Sequence, residues 1–472
     1  MKKTKVICSV GPSCNDAKTL SEMAIHGMSV ARINFSHGDY EEKDKIIENI
    51  LEARKQSGKE FGILWDTRGP EFRTGTVTDD QVKLTSGTKI RIVKGSIVGD
   101  ETKISVNHPE ALKQIEVGSN IYIDNARMRL EVTSKEKDGI TCKVMNGGIL
   151  GNHKSISVPG VNLGLPYVST QDKKDIEYAC RNDGEFIALS FVNSKEDILS
   201  IKKILKEYNR EDLKIICKIE SKLGVENLDE ILDVSDGVMV ARGDLGTEIP
   251  SERLPIIQKQ IIKKARNKGK IAIVATEMLE SMIDATRPKR AETSDIANAV
   301  LDGVDAVMLS GETTVGKHPV ETCSAMGRIC EVTEDFATFD YIDDEKKLYD
   351  ETSAIAVAVV DTANRLDAKL ICASTISGDT AAEISNLKPN SYILALCPND
   401  KVRRKLSLNW GVYTKTIPFY NSTDEVLIES VKSAKEFMNL KKDDIIITTG
   451  SFPSTGESHP TNLMKIEKIK WY

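Results

Sequence analysis

Short runs of apolar residues recur along the chain, and several are apolar at successive positions, as in strands that are buried on both faces. The runs are Lys5–Val10, Val30–Phe35, Gly62–Asp66, Phe186–Ser190, Lys214–Ile219, Gly237–Ala241, Ile271–Ala275 and Ala306–Leu309. Most precede amphipathic helical stretches, for example Ala17–His26, Glu41–Lys55, Lys195–Tyr208, Glu252–Lys268 and Thr293–Leu301. Eight strand–helix units predict an α/β fold, the (β/α)8 or TIM barrel.

Two other patterns interrupt or follow this series. After the third strand, alternating segments such as Gly-Thr-Lys-Ile-Arg-Ile-Val lie between turn residues, which predicts an inserted all-β domain. Such an insert sits on a βα loop at the active-site end of a barrel, so we expect it to act as a lid. After the acidic stretch Asp343-Asp344-Glu345, a third pattern predicts a C-terminal α/β domain with a largely parallel sheet.

The patterns give domain limits. We predict a catalytic barrel over 1–69 and 166–340, a β-barrel lid over 70–165, and the C-terminal domain over 345–472. The predicted elements of the last domain are helix Ser353–Leu366, strand Leu370–Ser374, helix Ala381–Leu387, strand Tyr392–Leu396, helix Lys401–Leu408, strand Val412–Thr416, helix Thr423–Phe437 and strand Ile445–Thr449.

Composition and charge exclude several classes of protein. Of the 472 residues 40% are hydrophobic, which excludes disorder for most of the chain, and the net charge of −6 argues against nucleic acid as the main partner. No apolar run is long enough to span a membrane, and no signal-peptide region follows the N-terminus. The 9 cysteines are odd in number and scattered, which is typical of free thiols. We therefore predict a soluble cytoplasmic protein.

Polar residues just past the predicted barrel strands should share one surface. Glu220 and Asp244 follow adjacent strands, and Gly243 allows close approach between them. A hard divalent ion such as Mg²⁺ is commonly held by one or two carboxylates, so the pair is a candidate metal site. The alternative is that each carboxylate pairs with a nearby Arg or Lys.

Four cations, Arg32, Arg73, Lys218 and Arg242, are expected at the same end of the barrel. Guanidinium and ammonium groups beside a metal suit a phosphoryl group, whose transfer depends on positioning and charge neutralisation. A salt network is the alternative. Lys218 argues against it, because it alternates with apolar residues and points into the barrel mouth, where it needs an anionic partner.

A set of oxygen donors, Asn34, Ser36, Asp66 and Thr67, ends two adjacent strands and carries one charge. It could hold a monovalent cation, although turn capping by such residues is the commoner reason for finding them there. His37 lies between Ser36 and a glycine, and we assign it a binding role rather than that of a general base.

Six segments then carry a resemblance to a known family, in the same order along the chain. They are Val-Ala-Arg-Ile-Asn-Phe-Ser-His-Gly from Val30, Asp-Thr-Arg-Gly-Pro-Glu-Phe-Arg-Thr-Gly from Asp66, Ile-Cys-Lys-Ile-Glu from Ile216, Val-Ala-Arg-Gly-Asp-Leu-Gly from Val240, Val-Ala-Thr-Glu-Met-Leu-Glu-Ser-Met from Val274 and Met-Leu-Ser-Gly-Glu-Thr from Met308. The chain closely resembles pyruvate kinase over essentially its whole length. The resemblance implies phosphoryl transfer from phosphoenolpyruvate to ADP in the last step of glycolysis, giving pyruvate and ATP.

The resemblance also implies cofactors and roles. Mg²⁺ or Mn²⁺ is expected on Glu220 and Asp244, and K⁺ on Asn34, Ser36, Asp66 and Thr67. The positions that match substrate contacts are Arg32, Ser190, Lys218, Ala241, Arg242, Gly243, Asp244 and Thr276, and those that match nucleotide contacts are Asn34, His37, Arg73 and Lys154. Catalytic roles fall on Lys218, which matches the group that stabilises the phosphoryl group in flight, on Arg32 and Arg73, and on Thr276 near the proton path.

Further positions refine these expectations. The glutamate at position 71 resembles the residue found there in the K⁺-dependent members of the family, so the resemblance implies K⁺ dependence. It also implies a homotetramer with a regulatory C-terminal domain, as is usual in the family. An effector-phosphate loop is matched by Ser374, Thr375, Ser377, Gly378 and Thr380, but Asp379 replaces a frequent Arg and would repel phosphate, which disfavours a sugar bisphosphate. The lid segment Asp124-Asn125-Ala126 stands where Asp-Asp-Gly is usual.

Two other functions compete with this interpretation. A pyruvate-forming aldolase would need the carboxylate pair but not the lid or the set Arg32, Arg73 and Lys218. A non-enzymatic metabolite-binding or scaffold protein would show erosion among these cations and carboxylates, and the set is complete here.

Overall fold

A computed structural model describes residues 1–339, 350–420, 422–452 and 459–470. The acidic stretch Asp343-Asp344-Glu345, the predicted domain limits at 340 and 345, and the limit at 472 lie outside the described residues.

The chain begins with strands that are buried on both faces, each leading to a helix that is capped by its own sequence. The elements are β1 (Lys5–Ser9), α1 (Ala17–Ile25), β2 (Val30–Asn34), α2 (Tyr40–Ser57) and β3 (Gly62–Asp66). Asp16 caps α1 by accepting a hydrogen bond from the Thr19 amide, and Asp39 caps α2 in the same way. Gly58 ends α2 with a positive φ of 62°, a conformation that favours glycine.

The insert that follows is all-β, as predicted. Its strands are β4 (Gln81–Leu84), β5 (Lys89–Val93), β6 (Lys103–Ser105), β7 (Asn120–Ile123), β8 (Met128–Glu136), β9 (Gly139–Asn146), β10 (Gly148–Gly151) and β11 (Ile156–Ser157). They form a six-stranded sheet in the order β11-β7-β8-β9-β5-β6 and a separate two-stranded sheet of β4 and β10. Within the described residues β4 and β10 pair only with each other, and the β-barrel form of the lid stays a prediction.

The chain then returns to the barrel. The elements are α3 (Thr170–Arg181), β12 (Phe186–Leu189), α4 (Lys195–Glu207), β13 (Lys214–Ile219), α5 (Lys222–Glu226), α6 (Leu228–Val234), β14 (Gly237–Ala241), α7 (Arg242–Glu248), α8 (Leu254–Asn267), β15 (Ile271–Ala275), α9 (Arg290–Leu301), β16 (Ala306–Leu309), α10 (Gly311–Thr314) and α11 (Pro319–Glu334). Parallel pairing in the order β1-β16-β15-β14-β13-β12-β3-β2 closes the barrel. The predicted barrel is confirmed, with strand ends within one residue of expectation.

The C-terminal domain is an α/β unit with its own core. Its elements are α12 (Glu351–Arg365), β17 (Leu370–Ser374), α13 (Asp379–Asn386), β18 (Tyr392–Cys397), α14 (Asp400–Lys405), β19 (Val412–Thr416), α15 (Thr423–Phe437), β20 (Ile445–Gly450) and β21 (Leu463–Lys468). The described strands form a sheet in the order β19-β18-β17-β20-β21, parallel except for β21. Sequence reasoning missed β21.

The C-terminal domain packs against the amino end of the barrel, away from the lid. Leu408 is fully buried in the barrel interior beside Ile7, Leu64 and Phe186, so the C-terminal domain supplies a core side chain to the barrel. The amide of Gly411 also donates to the Lys3 carbonyl at 2.9 Å. The two domains therefore share one hydrophobic core at this end.

Charged groups add to this interface. Arg404 donates to Glu185 at 2.7 Å and to Glu60 at 3.0 Å, and Lys388 forms a buried ion pair with Asp305.

All nine cysteines are buried and free. No helix in the described part of the chain is long and apolar enough to cross a membrane.

Candidate active site

A cleft of about 1050 Å³ lies between the lid and the carboxyl ends of the barrel strands. Its walls hold most of the residues that the sequence singled out. These are Arg32, Asn34, Ser36, His37, Thr67, Arg73, Lys154, Ser190, Lys218, Glu220 and Asp244. The cleft gathers them because the carboxyl ends of parallel strands meet at one end of a barrel.

The Lys218 ammonium group contacts three polar groups of the cleft, and its side chain is only 12% exposed. Its Nζ lies 3.0 Å from Glu220 Oε1 and 3.3 Å from Asp66 Oδ1, and it donates to Ser190 Oγ at 2.8 Å. Burial by itself would lower the pKa of Lys218, but the two carboxylates raise it above its ordinary value. Lys218 is therefore held as a cation at the floor of the cleft.

Arg32 supports this arrangement from β2. Its Nε donates to Asp66 Oδ2 at 2.6 Å, and its Nη1 donates to Ser9 Oγ at 2.7 Å. Burial would raise the pKa of the fully buried Asp66, but Arg32 and Lys218 lower it below its ordinary value. Asp66 is thus a carboxylate shared by two cations beneath the cleft surface.

Glu220 and Asp244 face the same part of the cleft. Glu220 is 1% exposed, and its Oε2 accepts a hydrogen bond from the Phe191 amide at 2.7 Å. Burial raises the pKa of Glu220, and the neighbouring charge of Asp244 raises it further, whereas Lys218 opposes the shift. Within the described residues the Asp244 carboxylate has no hydrogen-bond or ion-pair partner. The Asp244 carboxylate, which has no such partner and lies beside Glu220, suits a divalent cation.

The oxygen donors proposed for a monovalent cation divide between the surface of the cleft and the layer below it. Asn34, Ser36 and Thr67 line the cleft, and Asp66 lies underneath. Asn34 Oδ1 accepts from the Ser36 amide at 2.9 Å, which is the turn capping that the sequence also allowed. The remaining lone pairs, together with one negative charge, fit a weakly charged ion.

The lid contributes charged groups opposite the barrel. Arg73 binds Glu71 through two hydrogen bonds of 2.8 Å, and its Nη1 donates to the His153 carbonyl at 3.0 Å. Lys154 pairs with Asp124 at 3.1 Å. The Asp124 carboxylate therefore orients a cation within the lid.

Thr276 and Gly243 lie at the ends of β15 and β14, beside the residues that line the cleft. The Gly243 amide donates to Thr276 Oγ1 at 2.8 Å. Ala241, which ends β14, is buried and has no side-chain polar group to offer. These positions can reach a substrate through backbone groups and one hydroxyl.

Arg242 does not join the cations of the cleft. Its side chain is 8% exposed, and Nη1 donates to Asp295 Oδ2 at 2.6 Å. The guanidinium also donates to the carbonyls of Thr276 and Glu277. The substrate-binding role that the sequence assigned to Arg242 stays a prediction.

The matched effector loop lies in the C-terminal domain, outside the cleft. Thr375 and Thr380 are buried, with Thr375 Oγ1 accepting from the Gly378 amide at 2.9 Å. Ser377 Oγ donates to Asp379 Oδ2 at 2.7 Å, and Ser374 ends β17. The hydroxyls of Thr375 and Ser377 are thus engaged within the loop, whereas the Thr380 hydroxyl is hydrogen-bonded to that of Thr461 at 2.7 Å.

Sequence reasoning gave no role to three residues around the site. Phe191 has a positive φ of 54°, and its amide donates a hydrogen bond to Glu220. Asp295 accepts a hydrogen bond from Arg242. The buried Glu312 accepts hydrogen bonds from the Ser310 and Leu279 amides. Only Glu312 carried a signal, since it follows a predicted barrel strand. The other two act through a backbone group and through a distant helix.

Comparison with known proteins gives consistent results along the chain. The family model described as pyruvate kinase, barrel domain, matches residues 1–323, and the model for the pyruvate kinase alpha/beta domain matches residues 353–467. The chain is 43% identical over 471 residues to a pyruvate kinase of Bacillus licheniformis, covering 99% of this chain and 80% of that protein.

Two further comparisons cover both partners almost completely. A pyruvate kinase of Clostridium perfringens (strain 13 / Type A) is 42% identical over 477 residues, which covers 99% of this chain and 100% of that protein. A crystal structure of a pyruvate kinase from Cryptosporidium parvum matches with a TM-score of 0.93 at 38% identity, covering 99% of this chain and 96% of that one.

Proposed function

Because this chain belongs to the pyruvate kinase family, we propose a role in phosphoryl transfer for each group at the barrel mouth. The protein is an enzyme that transfers the phosphoryl group of phosphoenolpyruvate to ADP, a reaction of glycolysis that forms pyruvate. The observation that carries the assignment of roles is the contact of one buried lysine, Lys218, with Asp66, Glu220 and Ser190 in the cleft.

Pyruvate kinases are metal-dependent enzymes. We assign the divalent cation, Mg²⁺ or Mn²⁺, to Glu220 and Asp244, because both carboxylates face the cleft and the Asp244 carboxylate has no ion-pair partner among the described residues. When bound, such an ion supplies positive charge that neutralises phosphoryl and substrate oxygens.

The chain's own cations complete the charge balance. Lys218 and Arg32 lie at the floor of the cleft, and Arg73 faces them from the lid side. Developing negative charge on a transferring phosphoryl group is stabilised by such fixed cations in a water-poor site. Ser190 orients Lys218, and the Gly243–Asp244 backbone contacts the substrate.

A proton must reach the methylene carbon of the substrate once the phosphoryl group has left. The Thr276 hydroxyl lies beside Gly243 at the rim of the site, and we place it on that proton path. Asn34, His37, Arg73 and Lys154 line the wall nearest the lid, where we place the nucleotide.

K⁺ is assigned to Asn34, Ser36, Asp66 and Thr67. Three of these residues line the cleft beside Arg32, so a cation held there would add charge where the phosphoryl group sits. Glu71 supports K⁺ dependence, because position 71 holds a glutamate and not a lysine that would itself supply positive charge. The Glu71 carboxylate is bound to Arg73.

Pyruvate formation tests the assignment. Purified protein is supplied with phosphoenolpyruvate, ADP and Mg²⁺, with and without K⁺, and pyruvate is measured. We expect turnover that needs both ions. Turnover without K⁺ would remove the monovalent site and keep the rest, and pyruvate formation that depends on the nucleotide would exclude the aldolase reaction.

For the whole protein we propose a cytoplasmic homotetramer with a C-terminal domain that receives a phosphorylated effector other than a sugar bisphosphate. The Asp379 carboxylate beside Ser377 supports the exclusion, because it repels phosphate. Sedimentation velocity measures the assembly. Addition of fructose bisphosphate is expected to change the rate by less than about twofold, and strong activation would contradict this account of the loop.

A further inference from the structure

Two consecutive residues with left-handed backbone follow β15. Thr276 has a φ of 69° and Glu277 a φ of 53°. A β-branched residue such as threonine rarely adopts a positive φ, because its side chain clashes with the backbone. Such a conformation persists only where neighbouring groups enforce it, and it is commonly found at functional sites.

The Arg242 side chain supplies this enforcement. Its Nη2 donates to the Thr276 carbonyl at 2.6 Å and to the Glu277 carbonyl at 3.2 Å. Its Nη1 is fixed by Asp295 of α9 at 2.6 Å. Because the guanidinium is planar and its donors have fixed directions, one group can hold both carbonyls and the carboxylate at once.

The same turn is held from its other side by the backbone that follows Arg242. The Gly243 amide donates to Thr276 Oγ1, which itself donates to the Ala275 carbonyl at 2.6 Å. The contacts therefore form a closed loop, from Arg242 through Gly243 to the Thr276 hydroxyl, and from the Thr276 carbonyl back to the Arg242 guanidinium. The start of α7, which carries Asp244, and the end of β15 are locked together.

We propose that Arg242 is a positioning residue for phosphoryl transfer. It holds the turn of Thr276 and Glu277 so that the Thr276 hydroxyl and the Gly243–Asp244 backbone are presented to the substrate in one fixed arrangement. Arg242 itself contacts none of the reacting atoms. The inference rests on the proposed function, in which Thr276, Gly243 and Asp244 contact the substrate.

The first test replaces the planar guanidinium and keeps the charge. Arg242→Lys can still pair with Asp295, but it cannot bridge two carbonyls. We expect kcat for pyruvate formation to fall about 10- to 100-fold, while the KM for phosphoenolpyruvate changes less than about threefold. Amide hydrogen exchange in the segment 276–279 should rise. Arg287→Lys, at an exposed position between β15 and α9, is the matched control and should leave both measurements unchanged.

A double-mutant cycle separates positioning from a general structural role. If Arg242 acts through Thr276, then Arg242→Lys should slow the Thr276→Ala enzyme by less than about twofold. Independent losses that multiply would overturn the proposal. Glu277→Gly should restore part of the kcat of Arg242→Lys, because glycine adopts a positive φ without help, and no recovery would also count against the proposal.

These outcomes distinguish a failure of the proposed function from a failure of the positioning role of Arg242. Near-normal turnover of Thr276→Ala would refute the role of Thr276 in the proposed function. Slow Thr276→Ala with near-normal Arg242→Lys would refute the positioning role alone. If Arg242→Lys does not fold, as judged by circular dichroism, Asp295→Asn takes its place in the same cycle, with the same expected non-additivity.

Discussion

Lys218 is surrounded by more negative than positive charge, and this explains how a buried lysine stays protonated. Glu220 and Asp66 lie within 3.0 and 3.3 Å of its Nζ. An ammonium group buried in this way has a fixed position and needs no rearrangement when charge develops on a transferring phosphoryl group.

Replacing Lys218 with methionine keeps the length of the side chain and removes the charge. We expect Lys218→Met to lower kcat for pyruvate formation at least about 1000-fold, because the cation nearest the phosphoryl group is lost. Steady-state kinetics in saturating Mg²⁺ measures it. Lys222→Met, at an exposed position four residues on, is the control. Near-normal turnover of Lys218→Met would remove Lys218 from the mechanism.

The carboxylate pair can be tested without any turnover. Glu220→Gln keeps the hydrogen bond from the Phe191 amide within reach and removes one charge. We expect Mn²⁺ affinity, measured by electron paramagnetic resonance of free Mn²⁺, to fall at least about 10-fold. The exposed Glu226→Gln should bind Mn²⁺ as the wild type does. Unchanged affinity in Glu220→Gln would place the ion elsewhere.

At this scale the sequence predicted residue types well and side-chain directions less well. Lys218 lies at the carboxyl end of β13, and Glu220 and Asp244 lie just past strand ends, so that position alone brings them to one end of the barrel. Arg242 also follows a strand, at the point where α7 begins, yet its guanidinium contacts Asp295 and the turn after β15 and does not line the cleft. Whether a helix begins at once or after a loop is not visible in strand periodicity.

Among the elements, the β7–β8 hairpin of the lid carries unusual backbone. Asp124, Asn125 and Ala126 have φ values of 54°, 53° and 61°. Asn and Asp tolerate this region because their side chains bond locally, but alanine gains nothing there. The tip of the hairpin lines the cleft, so this strained backbone lies at the site.

Relieving that strain should stabilise the protein. We expect Ala126→Gly to raise the free energy of unfolding by about 0.5 kcal/mol, since glycine adopts a positive φ freely but costs more entropy on folding. Thermal denaturation followed by circular dichroism measures the change. The opposite sign, a loss of about 0.5–1 kcal/mol, is expected for Ala354→Gly in the exposed face of α12. A destabilised Ala126→Gly would contradict the account.

Elements with a strong pattern were predicted closely, and one with a weak pattern was not. The barrel strands are buried on both faces, so their apolar runs are unbroken. Strand β21 alternates Lys and Glu with apolar residues at the edge of its sheet, and none of its residues is fully buried. Its pairing with β20 depends on a partner and not on its own composition.

For the whole molecule, the buried pair of Lys388 and Asp305 joins the C-terminal domain to the barrel. Burial lowers the pKa of Lys388 to about 8, although Asp305 opposes the shift. The group is surrounded by Asp305, Arg266, Glu334 and the ring of Trp410. Its pKa in the unfolded chain is the ordinary one, near 10.5.

The lowered pKa of Lys388 makes folded stability depend on pH. Between pH 8 and 10.5 the unfolded chain binds more protons at Lys388 than the folded one, so folded stability rises with pH over this window. Below pH 8 both states are protonated and the cost of burying the charge is complete. Relative to Lys388→Met, the wild type should gain on the order of 1–2 kcal/mol between pH 7.5 and 9.5. Urea denaturation at both pH values measures it, and parallel pH profiles would contradict it.

The domain order along the chain was predictable from where the pattern changes, because strand–helix alternation, short alternating strands and a second alternation differ in composition. The contacts between domains were not. Leu408 resembles any helix-end leucine in the sequence, and only the three-dimensional packing brings it among Ile7, Leu64 and Phe186. Such contacts depend on shape, which a one-dimensional pattern does not carry.

The burial of Leu408 in the barrel interior has a consequence for biosynthesis. A ribosome delivers β1 first, but β1 closes the barrel only by pairing with β16, and the amino end of the barrel is sealed only when Leu408 has been made. Nascent barrel strands must therefore wait, with one apolar mouth uncovered, until Leu408, midway through the C-terminal domain, has emerged. A chain truncated before residue 408 would expose that mouth to solvent and to chaperones, even though every catalytic group had already been translated.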